Sequence, residues 1–136
     1  MGGGLPMWFY NGEYIDNPGD YVGFVYLITN QINKRKYIGK KNFYFSKSKQ
    51  VKGKKKRFKV ESDWQDYWSS SNALQKEIKE KGKENFKREI LYLCKNKSQM
   101  SYYELREQID RRVMENDEYY NEYIMARIHK TKSLCL

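Results

Sequence analysis

Two phenols and a run of cations are the chemically suggestive residues of this chain. Tyr26 and Tyr37 lie eleven residues apart in the stretch GFVYLITNQINKRKYIGKK, residues 23–41. Each sits in a short apolar run, and a polar turn separates the two runs. Strands joined by such a turn form a hairpin that can present two side chains on one face. A phenol with its ordinary pKa of about 10 is a poor base at neutral pH. A surrounding field of cations favours its ionised form. Such cations are at hand, because residues 34–59 hold 13 Lys and Arg and no Asp or Glu. The remaining chain carries 14 basic and 17 acidic residues, so the net charge of +10 arises in this one segment. A patch so concentrated attracts a polyanion, either nucleic acid or an anionic membrane surface. The segment has no helical apolar stripe, which argues against a membrane-surface helix. The alternative is a solvated basic loop that binds nothing in particular.

Other chemistries find little support. The cysteines are Cys94 and Cys135, no CxxC occurs, and the single His129 cannot complete a zinc site with them. A Ser-His-Asp or Cys-His scheme would have to use His129, in a short basic tail. Cys94 ends an apolar run and reads as a core thiol, and both cysteines are expected to be reduced, in a cytoplasmic protein. No run of 18 apolar residues is present, so no membrane span is expected. The opening MGGGLPMWFY lacks the basic-then-apolar order of a secretory signal. With 136 residues the chain suits a single domain, residues 1–136.

These residues need elements to position them. Residues 1–20 read as a lead-in with turn signals at Asn11-Gly12 and Asn17-Pro18-Gly19. Residues 22–29 read as a strand with Val22, Phe24, Tyr26 and Ile28 on one face, and residues 35–39 as its antiparallel partner. Phe43, Tyr44 and Phe45 could start a helix or continue the sheet, and KGKKKRFK, 52–59, reads as an exposed loop or ribbon. A serine among 69–71 can cap a helix running through Lys81, with Leu74 and Ile78 inward and Gly82 as its stop. Residues 86–94 read as a third strand. Ser101 opens a second helix whose Tyr102, Leu105, Ile109 and Val113 form one stripe.

In this order the motifs resemble the GIY-YIG nuclease family. Phe24-Val25-Tyr26 and Tyr37-Ile38-Gly39 are similar to its paired motifs, although phenylalanine replaces the first glycine and Gly23 lies just before it. Lys40 after the second motif, Ser69-Ser70 before a helix, Glu104 on the last long helix and Tyr120-Asn121 near the end extend the resemblance over residues 22–122. It is closest to the small bacteriophage enzymes of the family, some of which are homing endonucleases. The fold it implies is α+β, a small three-stranded antiparallel sheet flanked by helices, with residues 40–60 as a basic DNA-contacting insertion and a short basic tail.

The activity implied is metal-dependent hydrolysis of DNA phosphodiesters. Such a reaction needs an activated water, charge stabilisation on the phosphoryl oxygens and help for the leaving oxygen. By the resemblance, Tyr37 with Tyr26 activates water and Glu104 holds one divalent ion, Mg²⁺ or Mn²⁺. Ser101-x-x-Glu104 also fits a capping box, and Glu107 is the nearest alternative ligand. Lys40 is the candidate phosphate ligand. The family arginine falls near Lys47 by ungapped counting, or at Arg57 if residues 42–60 are an insertion. Tyr67 is expected as a second water-orienting group, against a packed aromatic beside Trp68, and Asn121 as a hydrogen-bonding support. Lys41, Lys47, Lys52, Lys54, Lys55, Lys56 and Lys59 are the expected contacts to double-stranded DNA.

One such site cuts one strand, so a double-strand break needs a homodimer, a partner protein or two nicks. The setting implied is the bacterial cytoplasm during phage infection. Two other readings stand beside this one. A catalytically degenerate nucleic-acid-binding module of the same fold is motivated by Phe24 and the missing arginine. A basic structural protein would explain the charge but not the motifs in register.

Overall fold

The computed structural model describes residues 7–125, so His129, Cys135 and the basic tail lie outside the described residues. It opens on a hairpin, not a loose lead-in. Trp8–Tyr10 (β1) and Glu13–Ile15 (β2) pair antiparallel across Asn11 and Gly12, both at positive φ, 52° and 84°. Positive φ at both central residues is the tight hairpin turn that Asn-Gly favours. Trp8 is almost fully buried, with its ring edge-on to Phe24 and Tyr26 and its indole N–H donating to the Trp64 carbonyl at 2.7 Å.

Gly23–Asn30 (β3) and Lys36–Asn42 (β4) form the expected antiparallel hairpin, with Tyr26 opposite Gly39 and Tyr37 opposite Ile28. The turn is closed by the Asn30 and Arg35 backbones and by Asn30 Oδ1, which accepts from the Ile32 N–H at 2.9 Å. Tyr44–Val51 (β5) and Lys54–Glu61 (β6) make a separate two-stranded ribbon from the basic segment. Its tip is Lys52-Gly53, again at positive φ, 50° and 76°. Asn72–Lys81 (α1) follows, capped by Ser71 Oγ, which accepts from the Leu74 N–H, and stopped at Gly82 with φ 93°. Phe86–Cys94 (β7) pairs antiparallel with β3 and parallel with β1, and Lys97–Asp110 (α2) completes the elements.

The main sheet therefore has five strands in the order β2-β1-β7-β3-β4, where the sequence predicts three. The two added strands come from the N-terminal residues, which cover the edge of β7. The central β3 is buried on both faces and reads as a continuous apolar run, as a covered central strand should. Phe24, Tyr26 and Ile28 face a core with Leu74 and Ile78 of α1, and Val25 and Leu27 face a second core with Met100 of α2. The β3–β7 register slips between Val25 and Tyr26, a bulge that sets Tyr26 opposite Ile90.

The second helix differs from the sequence reading in start and stripe. Asn96 caps it, accepting from the Gln99 N–H at 2.8 Å, while Gln99 Oε1 accepts from the Lys95 N–H at 2.9 Å. Ser101 is thus inside the helix, and Ser101-x-x-Glu104 is not its capping box. Ile109 is 56% exposed, while Met100 and Gln108 are buried, so the inward face is the Met100, Glu104, Gln108 row. That row is partly polar because it borders the cavity described next.

Candidate active site

Gly39 explains how two large phenols share the inner hairpin face. A Cβ on Gly39 would collide with the Tyr26 hydroxyl and lie 2.9 Å from the Tyr37 ring. With hydrogen there instead, the Tyr26 and Tyr37 rings come to 6.1 Å between centroids. Tyr26 is fully buried, and Tyr67 stands edge-on to it at 6.0 Å. Tyr37 is half-buried, and its hydroxyl meets Ser70 Oγ at 3.3 Å.

Tyr37 opens onto a cavity of about 350 Å³ formed by β4, the first turn of α1, α2 and residues 120–125. Lys40, Ser70, Glu104, Gln108 and Asn121 line it too. Lys40 Nζ donates to Ser101 Oγ at 2.9 Å, which ties the end of β4 to α2. Glu104 is half-buried and has no hydrogen-bond or ion-pair partner within contact distance among the described residues. Burial raises its carboxyl above the ordinary value, against the opposing pull of Lys40. Glu107, one turn on, behaves differently. It accepts from the Tyr92 hydroxyl at 2.7 Å and pairs with Arg111 at 2.8 Å. Burial pushes its carboxyl up, but these bonds outweigh it and hold the group below its ordinary value.

A divalent ion suits this donor set. Glu104 and Glu122 are the carboxylates that line the cavity, and the described residues contain no cluster of three or more acidic, His or Cys ligands. One or two carboxylates fit an Mg²⁺ that keeps most of its waters.

The segment after α2 braces the tyrosine strand. Residues 118–120 add to the free edge of β4, with Tyr120 N–H donating to the Lys36 carbonyl at 2.7 Å and Lys36 N–H to the Glu118 carbonyl at 2.8 Å. Asn121 then grips Ile38 at both backbone groups, Oδ1 accepting from its N–H at 3.1 Å and Nδ2 donating to its carbonyl at 2.9 Å. The amide side chain thus substitutes for a neighbouring strand between Tyr37 and Gly39. The Tyr120 hydroxyl bonds to Glu77 of α1 and accepts from Asn30 Nδ2 at 3.0 Å.

Three expectations about the site change. The tyrosines are not driven toward ionisation: burial, with Tyr67, Tyr37 and Glu104 nearby, holds Tyr26 well above its ordinary pKa. Tyr37 is also raised by burial, which exceeds the lowering effect of its Ser70 bond. Eight of the 13 cations of residues 34–59 stand on the exposed ribbon instead. Arg57 is among them, across from Ser48 on β6, and does not line the cavity. Lys40 is the cation that lines it among the described residues. Tyr67 lies behind Tyr26, not in the cavity wall.

The expected DNA-contacting lysines divide. Lys47, Lys52, Lys54, Lys55, Lys56 and Lys59 are exposed on the ribbon. Lys41 is bound to Asp63 at 2.7 Å and lies 4.2 Å over the Tyr67 ring, so it serves the packing of the site's rear wall. Ser70 belongs to the Ser69-Ser70 match, whereas nothing in the sequence reading points to Gln108. Gln108 could have been found from its i+4 spacing to Glu104.

Residues 8–124 match the family model described as "Putative endonuclease segE, GIY-YIG domain", and the chain belongs to that GIY-YIG family. Searches of curated proteins and of solved structures return no significant match. No helix among the described residues is long and apolar enough to cross a membrane.

Proposed function

We propose that this protein is a metal-dependent DNA endonuclease and that the cavity bordered by Tyr37, Lys40 and Glu104 is where the phosphodiester is hydrolysed. The observation that carries the reading is the convergence of a hydroxyl, a cation and an unpartnered carboxylate from two separate elements, β4 and α2, on one opening. Glu104 would hold one Mg²⁺ or Mn²⁺, which supplies positive charge to the phosphoryl and leaving oxygens. Tyr37, whose phenol is raised above its ordinary pKa by burial, orients the attacking water through its hydroxyl, itself set by Ser70. Tyr26 and Tyr67 fix the Tyr37 ring from behind. Lys40, held by Ser101, binds a phosphoryl oxygen as a point charge. The first turn of α1 faces the same space, and its positive dipole end favours an anion there. Asn121 and Gly39 are positioning residues.

The basic ribbon supplies the affinity for duplex DNA by neutralising backbone phosphates. The family match supports extending the reading to a phage-borne, site-specific enzyme of the homing type, working in the bacterial cytoplasm. With one site per chain, a double-strand cut takes a homodimer, a partner protein or two successive nicks. A second reading, a DNA-binding module that does not cut, is favoured by one observation: no arginine lines the cavity among the described residues.

Plasmid cleavage with Mg²⁺ or Mn²⁺ tests the choice. Wild type should nick or linearise the plasmid, and Glu104→Ala should lower the rate by about 10³-fold, as should EDTA, while still shifting the plasmid in a gel. Wild type that shifts plasmid but leaves it intact would favour the binding module.

A further inference from the structure

The β5–β6 ribbon is more than a source of charge, because its two faces differ. Directly paired residues of an antiparallel ribbon point to the same side. One side therefore carries Ser46 with Lys59, Ser48 with Arg57 and Gln50 with Lys55. The other carries Phe45 with Val60, Lys47 with Phe58 and Lys49 with Lys56. The first face is hydrogen-bonding along its length. The second alternates apolar groups with lysines, and its Phe45 and Phe58 are 42% and 44% exposed.

The ribbon is also held firmly at its root and free beyond it. Phe43 and Trp64 are fully buried, Ser62 Oγ donates to the Asn42 carbonyl at 2.7 Å, and the Ser62 N–H donates to the Phe43 carbonyl at 2.7 Å. From there each strand runs eight residues, nearly all exposed, to the tight Lys52-Gly53 tip. At about 3.3 Å per residue that is roughly 26 Å, or about eight base pairs of duplex. The root touches the site: Phe45 lies 5.1 Å from Lys41 Nζ, which covers Tyr67.

We infer that the ribbon enters the major groove of duplex DNA with its Ser46, Ser48, Gln50, Lys55, Arg57, Lys59 face toward the bases, and selects the sequence that is cut. This rests on the reading of DNA as the partner. A major groove about 12 Å wide admits a two-stranded ribbon, and the residue types fit its base edges: Arg or Lys to guanine, Gln to adenine, Ser to either. The major groove of duplex RNA is too narrow and deep for side chains to read. Arg57, which lies away from the cavity, takes a role of its own in this arrangement.

The test compares two variants that each remove two charges from exposed sites on one face of the ribbon. Arg57→Gln with Lys55→Gln alters the reading face, and Lys49→Gln with Lys56→Gln alters the other. Each full-length protein is used in EDTA to select from a library of randomised DNA duplexes, so no cleavage is needed. Wild type should enrich a sequence of about four to seven base pairs. Lys49→Gln with Lys56→Gln should enrich the same sequence with weaker binding to every duplex. Arg57→Gln with Lys55→Gln should lose roughly 5- to 150-fold discrimination at one or two positions. The inference is overturned if wild type enriches nothing, if the sequence survives the reading-face change, or if both variants alter it alike. An enriched sequence in a protein that never cuts a plasmid carrying that sequence would remove the nuclease reading and leave the ribbon's role standing. Cutting without any enriched sequence would do the reverse.

Discussion

β3 and β4 form a hairpin whose inner strand is buried on both faces, whereas β5 and β6, starting one residue after it ends, form one exposed along nearly its whole length. Both turns are short, both strand pairs are antiparallel, and both carry lysines. What differs is what each can bury. The first places Phe24, Tyr26 and Ile28 into one core and Val25 and Leu27 into the other. The second has eight cations between residues 44 and 60, and no core could take them. The packed hairpin holds its two phenols against each other through close neighbours, Gly39 among them. The solvated one can change its side chains at little cost to the fold. The proposed separation of a cutting hairpin from a recognition ribbon fits that difference in burial.

The largest expected effect lies at the packed hairpin's chemistry. Tyr37→Phe removes one hydroxyl from a half-buried ring and should slow cleavage by roughly 10²-fold or more, with a melting temperature close to wild type. Normal cutting by this variant, measured in single turnover, would remove Tyr37 from the mechanism. Gly39→Ala attacks the packing itself. Its Cβ meets the Tyr26 hydroxyl end, so overpacking should cost about 1–3 kcal/mol by urea unfolding and should also reduce cleavage. A neutral result would mean the two phenols are not tightly held.

The two carboxylates of α2 sharpen the contrast by pH. Glu104 has a folded pKa above its unfolded one, so its contribution to stability is present at pH below the ordinary carboxylate value and is lost as pH rises through the folded value. Glu104→Gln lacks that loss, and its melting temperature relative to wild type should climb between about pH 4 and pH 7. Glu107 has the opposite sign: its contribution is present above the ordinary carboxylate value and lost as pH falls through the folded one. Glu107→Gln should therefore fall behind wild type as pH rises toward the ordinary carboxylate value and stay behind by a constant margin up to neutral pH. Equal behaviour of the two variants in thermal melts would contradict the difference in their surroundings. The smallest effect belongs to the ribbon, where Lys54→Gln with Lys55→Gln should change stability by less than about 0.5 kcal/mol in the same melts.

Much of the arrangement was legible because it is local. The β3–β4 hairpin, the Ser71 cap, the inward Leu74 and Ile78 and the Gly82 stop all follow from spacing within a few residues. Asn11-Gly12 was legible as a turn, but three-residue strands on either side fall below what periodicity can resolve, and the hairpin forms because Trp8 finds a core. The start of α2 was misjudged because a serine and a glutamate at capping spacing compete with Asn96 and Gln99, which cap it in fact.

The sequence by itself determined the charge segregation, the tyrosine spacing and the order of elements, since these are properties of the chain. It took the tertiary structure to show that Glu104 has no partner among the described residues while Glu107 is bound, that Lys40 lines the cavity while Arg57 does not, and that burial raises both phenols above their ordinary pKa. Those outcomes depend on which groups from distant segments arrive at one point and on how much water they exclude, and burial there outweighs a cationic field held more than a strand away.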